Sequence, residues 1–267
     1  MSENSATKPS IEFRDVTLHY RIMEEQGINS FKEWAIKWIT RRVRYRELVA
    51  LRDVNFTLPP GGSIGVIGHN GAGKSTLLRV AAGILRPSRG TAVIRGRLAP
   101  ILELGFGFEP ELSGRENIFF NGALLGRSPA EMKDRMDEIV EFADLHEFID
   151  QPLRTYSTGM AARLAFSVAT TVDAKILLLD EVFAVGDAGF YLKCEQRIKA
   201  YQESGVSVLL VSHDLAAVEM LCDNALWLDK GRVRGFGKPS EIIPQYHASL
   251  DQGATVGGAI EAVATKE

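Results

Sequence analysis

Ile64-Gly65-Val66-Ile67 runs directly into Gly68-His69-Asn70-Gly71-Ala72-Gly73-Lys74-Ser75-Thr76. A short buried strand therefore meets a glycine loop, and Thr76 continues with helical character to Ala82. The loop fits G-x-x-x-x-G-K-[ST] in the strand-to-helix setting that this pattern requires. Glycines let the backbone turn tightly enough to aim successive N–H groups at phosphate oxygens, and the helix start adds a favourable dipole. The expectation is a cradle made by Gly68, His69, Asn70, Gly71, Ala72, Gly73, Lys74, Ser75 and Thr76. Lys74 is expected to reach the β- and γ-phosphates, and the Ser75 hydroxyl to ligate Mg²⁺.

Two further apolar runs of strand length lie downstream, Lys175-Ile176-Leu177-Leu178-Leu179-Asp180 and Ser207-Val208-Leu209-Leu210-Val211-Ser212. Unbroken runs of this kind suit a parallel sheet covered on both faces. Asp180 at a strand end beside a phosphate loop is placed to hold Mg²⁺, and Glu181 next to it to act as general base toward water. An acidic pair that merely caps a helix is the plain alternative. His213, just past the other strand, is the candidate contact to a γ-phosphate and orienter of the water. As titrating groups, His19, His69, His146 and His247 carry no comparable argument.

Upstream, Ile11-Glu12-Phe13 and Val16-Thr17-Leu18 read as a first strand ending near Tyr20, and a second strand is expected near residues 49–58. Residues 91–95 and 98–102 read as short strands. From residue 109 to about 171 the pattern is helical; over residues 130–142 and just beyond, Met132, Met136, Ile139, Val140 and Ala143 recur at helical spacing. The sum is an α/β core with an inserted helical subdomain.

Composition removes several classes. The 267 residues are 45% hydrophobic and 24% charged, with 31 Lys+Arg against 34 Asp+Glu. That balance is globular and excludes a disordered chain or a polycation coating nucleic acid. The longest uncharged stretch, residues 54–73, holds Pro59, Pro60 and many glycines. It is not the run of about 20 apolar residues that a spanning helix needs. The polar first ten residues lack the apolar core of a secretory signal. Cys194 and Cys222 form no CxxC pair and read as free thiols in a reducing cytoplasm.

Between loop and acidic strand lies Tyr156-Ser157-Thr158-Gly159-Met160, opening an apolar helix. In that position it resembles the LSGGQ signature of ATP-binding cassette (ABC) ATPases, and the resemblance covers about residues 11–250. It implies an α/β P-loop ABC ATPase fold: a RecA-like mixed, mostly parallel sheet with N-terminal antiparallel strands and an inserted helical subdomain. It also implies ATP and Mg²⁺ as cofactors. Asp187 falls on the family's D-loop aspartate, His213 on its switch histidine, and Tyr20 on the aromatic that stacks adenine. In the family two cassettes pair head to tail, so one loop and one signature per chain imply a homodimer with composite ATP sites. Ser157, Thr158 and Gly159 would then contact nucleotide held by the partner, a second anion site at a helix start.

Three departures narrow the resemblance. The signature reads YSTGMAARLAFSVA. Val182-Phe183-Ala184-Val185-Gly186-Asp187 follows the acidic pair. Leu102-Glu103-Leu104-Gly105-Phe106-Gly107-Phe108-Glu109-Pro110-Glu111-Leu112 and Gly114-Arg115-Glu116-Asn117-Ile118 replace the usual glutamine loop, with Glu103 nearest to the missing glutamine. All three are similar to ATP-binding subunits of polysaccharide exporters for O-antigen, capsule or teichoic acid. That resemblance implies a cassette dimer working with two copies of a multi-spanning permease on a lipid-linked glycan. It would sit peripherally on the cytoplasmic face of the inner membrane and bind no nucleic acid. An ABC ATPase of another transporter, such as a lipid exporter, is the nearest alternative. A DNA-repair head would need a long coiled coil, for which residues 73–157 leave no room; a GTPase would need an NKxD sequence, which is absent.

Cassette residues are expected over 10–249, with the helical subdomain at about 109–171. A basic amphipathic insertion occupies about 24–47, and a flexible tail follows over 250–267. In the insertion, Lys32, Lys37, Arg41, Arg42, Arg44 and Arg46 outnumber Glu33, while Phe31, Trp34, Ala35, Trp38 and Ile39 share one helical face. Trp with Lys and Arg suits a membrane-interface helix beside the permease; a face packed on the core through its tryptophans is the alternative. Since the chain ends soon after Tyr246, glycan selection is expected to lie with the permease or the polymer's lipid end.

Overall fold

The computed structural model describes residues 8–23, 45–101, 107–171, 173–180 and 187–250. The order is β1 (Ile11–Met23), β2 (Tyr45–Leu58), β3 (Ser63–Ile67), α1 (Lys74–Ala81), β4 (Arg89–Ile94) and β5 (Leu98–Ile101). Next come α2 (Gly114–Leu124), α3 (Pro129–Asp134), α4 (Met136–Ala143), α5 (Thr158–Thr170) and β6 (Ile176–Asp180). α6 (Ala188–Glu203), β7 (Ser207–Val211), α7 (Leu215–Leu221), β8 (Asn224–Asp229) and β9 (Arg232–Gly237) follow. A last helix covers residues 239–250.

A three-stranded antiparallel sheet has the order β2-β1-β4, and a six-stranded sheet the order β5-β6-β7-β3-β8-β9. In the larger sheet β5, β6, β7, β3 and β8 run parallel, and only β9 is antiparallel. This is the mixed α/β cassette architecture that the sequence implied.

Alternation along the central strands explains their unbroken apolar sequence. Ile176 and Leu178 of β6, with Leu209 and Val211 of β7, enter a core shared with the antiparallel sheet and α1. Leu177, Leu179, Val208 and Leu210 point the other way, into a core with Phe166 of α5 and Phe190 and Ile198 of α6. Successive strand side chains face opposite sides, so burial on both faces demands apolar residues throughout. A third core belongs to the helical subdomain, where Ile118, Met132, Met136, Ile139, Val140, Ala143, Leu164 and Val168 pack together. α5 joins two of these cores, with Leu164 and Val168 on one face and Phe166 on the other.

Several expected boundaries shift. β1 continues past Tyr20 to Met23, and β2 begins at Tyr45 instead of 49 because the two strands keep pairing there: Ile22 opposes Arg46 and Met23 opposes Tyr45. Residues 45–47 of the expected insertion are therefore strand; residues 24–44, including Trp34 and Trp38, lie outside the described residues. The helix expected over 130–142 is two helices meeting at Arg135, whose φ of −100° and ψ of 0° end the first and start the second. Their apolar residues still reach one core, which is why the spacing looked continuous. Leu250, expected in the tail, is helical like Ser249 before it, whose hydroxyl donates to the Tyr246 carbonyl at 2.6 Å. Residues 251–267 lie outside the described residues.

Candidate functional site

The phosphate loop leaves the end of β3. Gly68 has φ +150°, and a Cβ there would lie 2.2 Å from the Leu228 carbonyl oxygen. Gly73 has φ +107°, and its Cβ would lie 2.7 Å from the Ala50 carbonyl oxygen. Only glycine meets both the angles and the close backbone approach. Gly73 is also the N-cap of α1, and no side-chain hydrogen bond caps this helix start. An uncapped helix start is an anion site. Lys74, almost fully buried, curls over the loop and donates from Nζ to the carbonyls of Gly68 at 2.7 Å and His69 at 3.2 Å. Ser75 is exposed in the first turn. The donors present fit a polyphosphate with its divalent cation.

Register brings the other groups to the same edge. β6, β7 and β3 are neighbours; Asp180 opposes Val211, and Val211 opposes Val66. Strands lie about 4.8 Å apart, so Asp180 stands about 10 Å along the row from the strand that feeds the loop. That is the crevice outside the carboxyl ends of parallel strands where α/β proteins bind ligands. His213 follows two residues after β7 and is exposed. Asp214 beside it caps α7, accepting from the N–H groups of Ala216 and Ala217. The Tyr20 hydroxyl lies 3.5 Å from Thr76 Oγ1, so β1 brings this ring beside the loop. Glu181 and Glu103 lie outside the described residues.

The signature segment is built separately. Ser157 is the N-cap of α5 and accepts from the Met160 N–H at 3.2 Å. Ser157 and Thr158 are exposed, and a Cβ at Gly159 would meet nothing nearer than Ser157 Oγ at 3.9 Å. This helix start belongs to the helical core, whereas α1 belongs to the core under the antiparallel sheet. Asp187 caps α6, accepting from the Phe190 N–H at 2.9 Å, and that bond foremost holds its carboxyl below the usual aspartate range.

Residues 51–184 match the family model described as ABC transporter. The chain belongs to the ABC transporter family. It is an ATP-hydrolysing transporter subunit, and within the family it groups with ATP-binding subunits of cell-envelope polysaccharide exporters. The O-antigen export system ATP-binding protein RfbB of Klebsiella pneumoniae is 43% identical over 91% of this chain and 99% of its own length. RfbB of Myxococcus xanthus is 45% identical over 90% of this chain, which spans 56% of that protein. The teichoic acids export ATP-binding protein TagH of Bacillus cereus is 35% identical, and this chain spans 43% of it. Among solved structures, the dimeric ATP-binding cassette MJ0796 with ADP and Pi superposes with a TM-score of 0.69. It is 22% identical and covers 86% of this chain and 98% of its own, which establishes the shared ABC fold.

Three contacts escaped the sequence reading: those of Arg163 and of Asn117, and the ring partner of His69, itself already placed in the cradle. Arg163 of α5 reaches Asp187 Oδ2 at 3.4 Å, so the helix that Ser157 caps touches the N-cap of α6 in its own chain. Asn117, fully buried, accepts from the Glu109 N–H at 2.7 Å and donates to the carbonyls of Glu109, Leu112 and Ser113. It locks the loop that precedes α2, within the Gly114-Arg115-Glu116-Asn117 segment already singled out. His69 holds Asp229 at 2.9 Å and Asn70 O at 2.7 Å. A helix-period reading exposes Arg163 and Asn117 as polar residues in an apolar setting; nothing local points to Asp229.

Proposed function

We propose that this chain powers export of a lipid-linked cell-envelope polysaccharide through a separate multi-spanning permease, acting as a homodimer at the cytoplasmic face of the inner membrane. The observation that carries the nucleotide half is the uncapped, glycine-cradled start of α1, fed by β3 at the sheet edge where β6 ends in Asp180 and β7 leads to His213. The export half rests on the likeness to O-antigen and teichoic acid export subunits. Among the described residues no helix is long and apolar enough to cross a membrane.

Loop N–H groups and Lys74 bind the β- and γ-phosphates, and Tyr20 packs against the base. Ser75 and Asp180 are the residues that would hold Mg²⁺, which when bound offsets phosphate charge. Glu181 takes the proton of the attacking water, and His213 orients that water toward the γ-phosphate. Ser157, Thr158, Gly159 and the exposed N–H groups of α5 close over nucleotide on the partner's loop, with Asp187 lining the same seam. Closing and reopening the dimer moves the helical subdomains, and the permease follows. Glu103 stands nearest to the glutamine-loop position.

Glu181→Gln is expected to bind ATP, trap the closed dimer and hydrolyse little; normal turnover in that variant would remove Glu181 from its role. Affinity isolation of the chain from membranes is expected to bring down a multi-spanning permease, and deletion to abolish one surface glycan. A deletion strain with intact surface glycans and altered lipid distribution would redirect the reading to lipid export.

A further inference from the structure

Arg163 of α5 sits where three helices meet. Its Nη2 lies 3.4 Å from Asp187 Oδ2, at the N-cap of α6. Its Nη1 lies 3.9 Å from Asp144 Oδ2, at the C-cap of α4. The guanidinium carbon stands 5.9 Å from the centre of the Phe190 ring, within cation–π range. Nε is buried and finds no hydrogen-bond partner among the described residues.

These contacts exceed what capping needs. Asp187 Oδ1 alone takes the Phe190 N–H at 2.9 Å, and an asparagine or a serine caps a helix as well with one oxygen. The second oxygen, Oδ2, is left for Arg163. Asp187 is largely exposed, so this ion pair adds little to the stability of the fold. The buried, unpartnered Nε is a cost to the fold. What the pair does fix is placement. One carboxylate oxygen is set by the cap of α6, and the other by a residue of α5. Ser157 caps that same α5 six positions before Arg163, about 9 Å along the axis at 1.5 Å per residue. The contact therefore ties Asp187 to the helix that presents Ser157.

We propose that Arg163 is a positioning residue: through Asp187 Oδ2 it fixes the spacing between Asp187 and Ser157, so that both reach the nucleotide on the partner's loop together. The proposal rests on the composite-site reading above and deepens it. Arg163 acts on a site whose phosphate loop belongs to the other chain. Its loss slows hydrolysis at the partner's loop and spares the loop of its own chain.

The test uses the full chain in two differently tagged forms, so that mixed dimers can be isolated. One member carries Lys74→Ala, which leaves one working site: the other member's loop facing this member's Ser157. Arg163→Gln is then placed on either member. On the Lys74→Ala member it is expected to lower kcat roughly three- to tenfold with KM for ATP unchanged, because a small misplacement costs rate before affinity. On the other member, whose Ser157 faces the altered loop, turnover should match that of the parent mixed dimer. A merely structural role would not produce this dependence on placement. Asp187→Asn keeps the cap and removes the charge, so in that background Arg163→Gln on the Lys74→Ala member should cost nothing more. Equal losses from both placements, no loss from either, or a full further loss in the Asp187→Asn background overturns the positioning role alone. A loss confined to the member with the intact loop means that each chain hydrolyses ATP by itself. That result, or a parent mixed dimer without turnover, overturns the composite-site reading and the proposal with it.

Discussion

Lys74 and Asn117 are both buried polar residues, and they fail in different ways when removed. The Lys74 ammonium is held against loop carbonyls at the mouth of the phosphate cradle. Lys74→Ala is therefore expected to abolish ATP binding and turnover while the far-UV spectrum and unfolding midpoint stay close to the parent. Asn117 instead spends its amide on four backbone groups of one loop. Asn117→Ala leaves those groups buried without partners, and urea unfolding should show a loss of about 2–3 kcal/mol. The two roles could be separated in advance only for Lys74, because its neighbours in sequence are also its neighbours in space. His69 shows the opposite case: chain-local reading placed it in the cradle, but its ring partner Asp229 ends β8, the strand beside β3, 160 positions along the chain.

Among elements, the helices around the signature depend on caps and carboxylates. Ser113 and Glu116 form a capping box at α2, as do Ser128 and Glu131 at α3. Backbone hydrogen bonds from Ser113 and Ser128 are the largest cause holding Glu116 and Glu131 below the usual glutamate range, and a side-chain bond from Arg115 does the same for Asp150. Carboxyls depressed in the fold stabilise it at every pH above their unfolded values. That contribution disappears as pH falls through the lower folded values. Thermal unfolding followed from pH 7 downward should hold steady and then drop below about pH 4. The same region positions the signature. A Cβ at Gly114 would lie 2.2 Å from the Tyr156 hydroxyl oxygen, which donates to the Phe148 carbonyl at 2.7 Å. Gly114→Ala should displace Tyr156 and with it Ser157, lowering ATP turnover several-fold while ATP affinity at the chain's own loop is retained.

Helix and strand types followed from periodicity because burial on one or two faces imposes it. What periodicity missed is physical as well. Arg135 breaks a helix without breaking the apolar stripe, and β2 starts early because pairing with β1 outweighs its charged sequence.

At the scale of the whole molecule, the decisive feature is separation. The phosphate loop and the signature stand on different cores of one chain, and Ser157 and Thr158 at the start of α5 are exposed. The proposed head-to-tail dimer would resolve this by letting each chain complete the other's site. It follows that a loop defect and a signature defect on different chains should complement. Lys74→Ala chains mixed with Ser157→Arg chains form heterodimers in which the intact loop of one faces the intact signature of the other. The most direct measurement is ATP turnover of each variant alone and of the mixture after subunit exchange. The account predicts near-zero turnover for each variant alone and clear recovery in the mixture. A mixture as inactive as its components, with mixed dimers demonstrated, would contradict it.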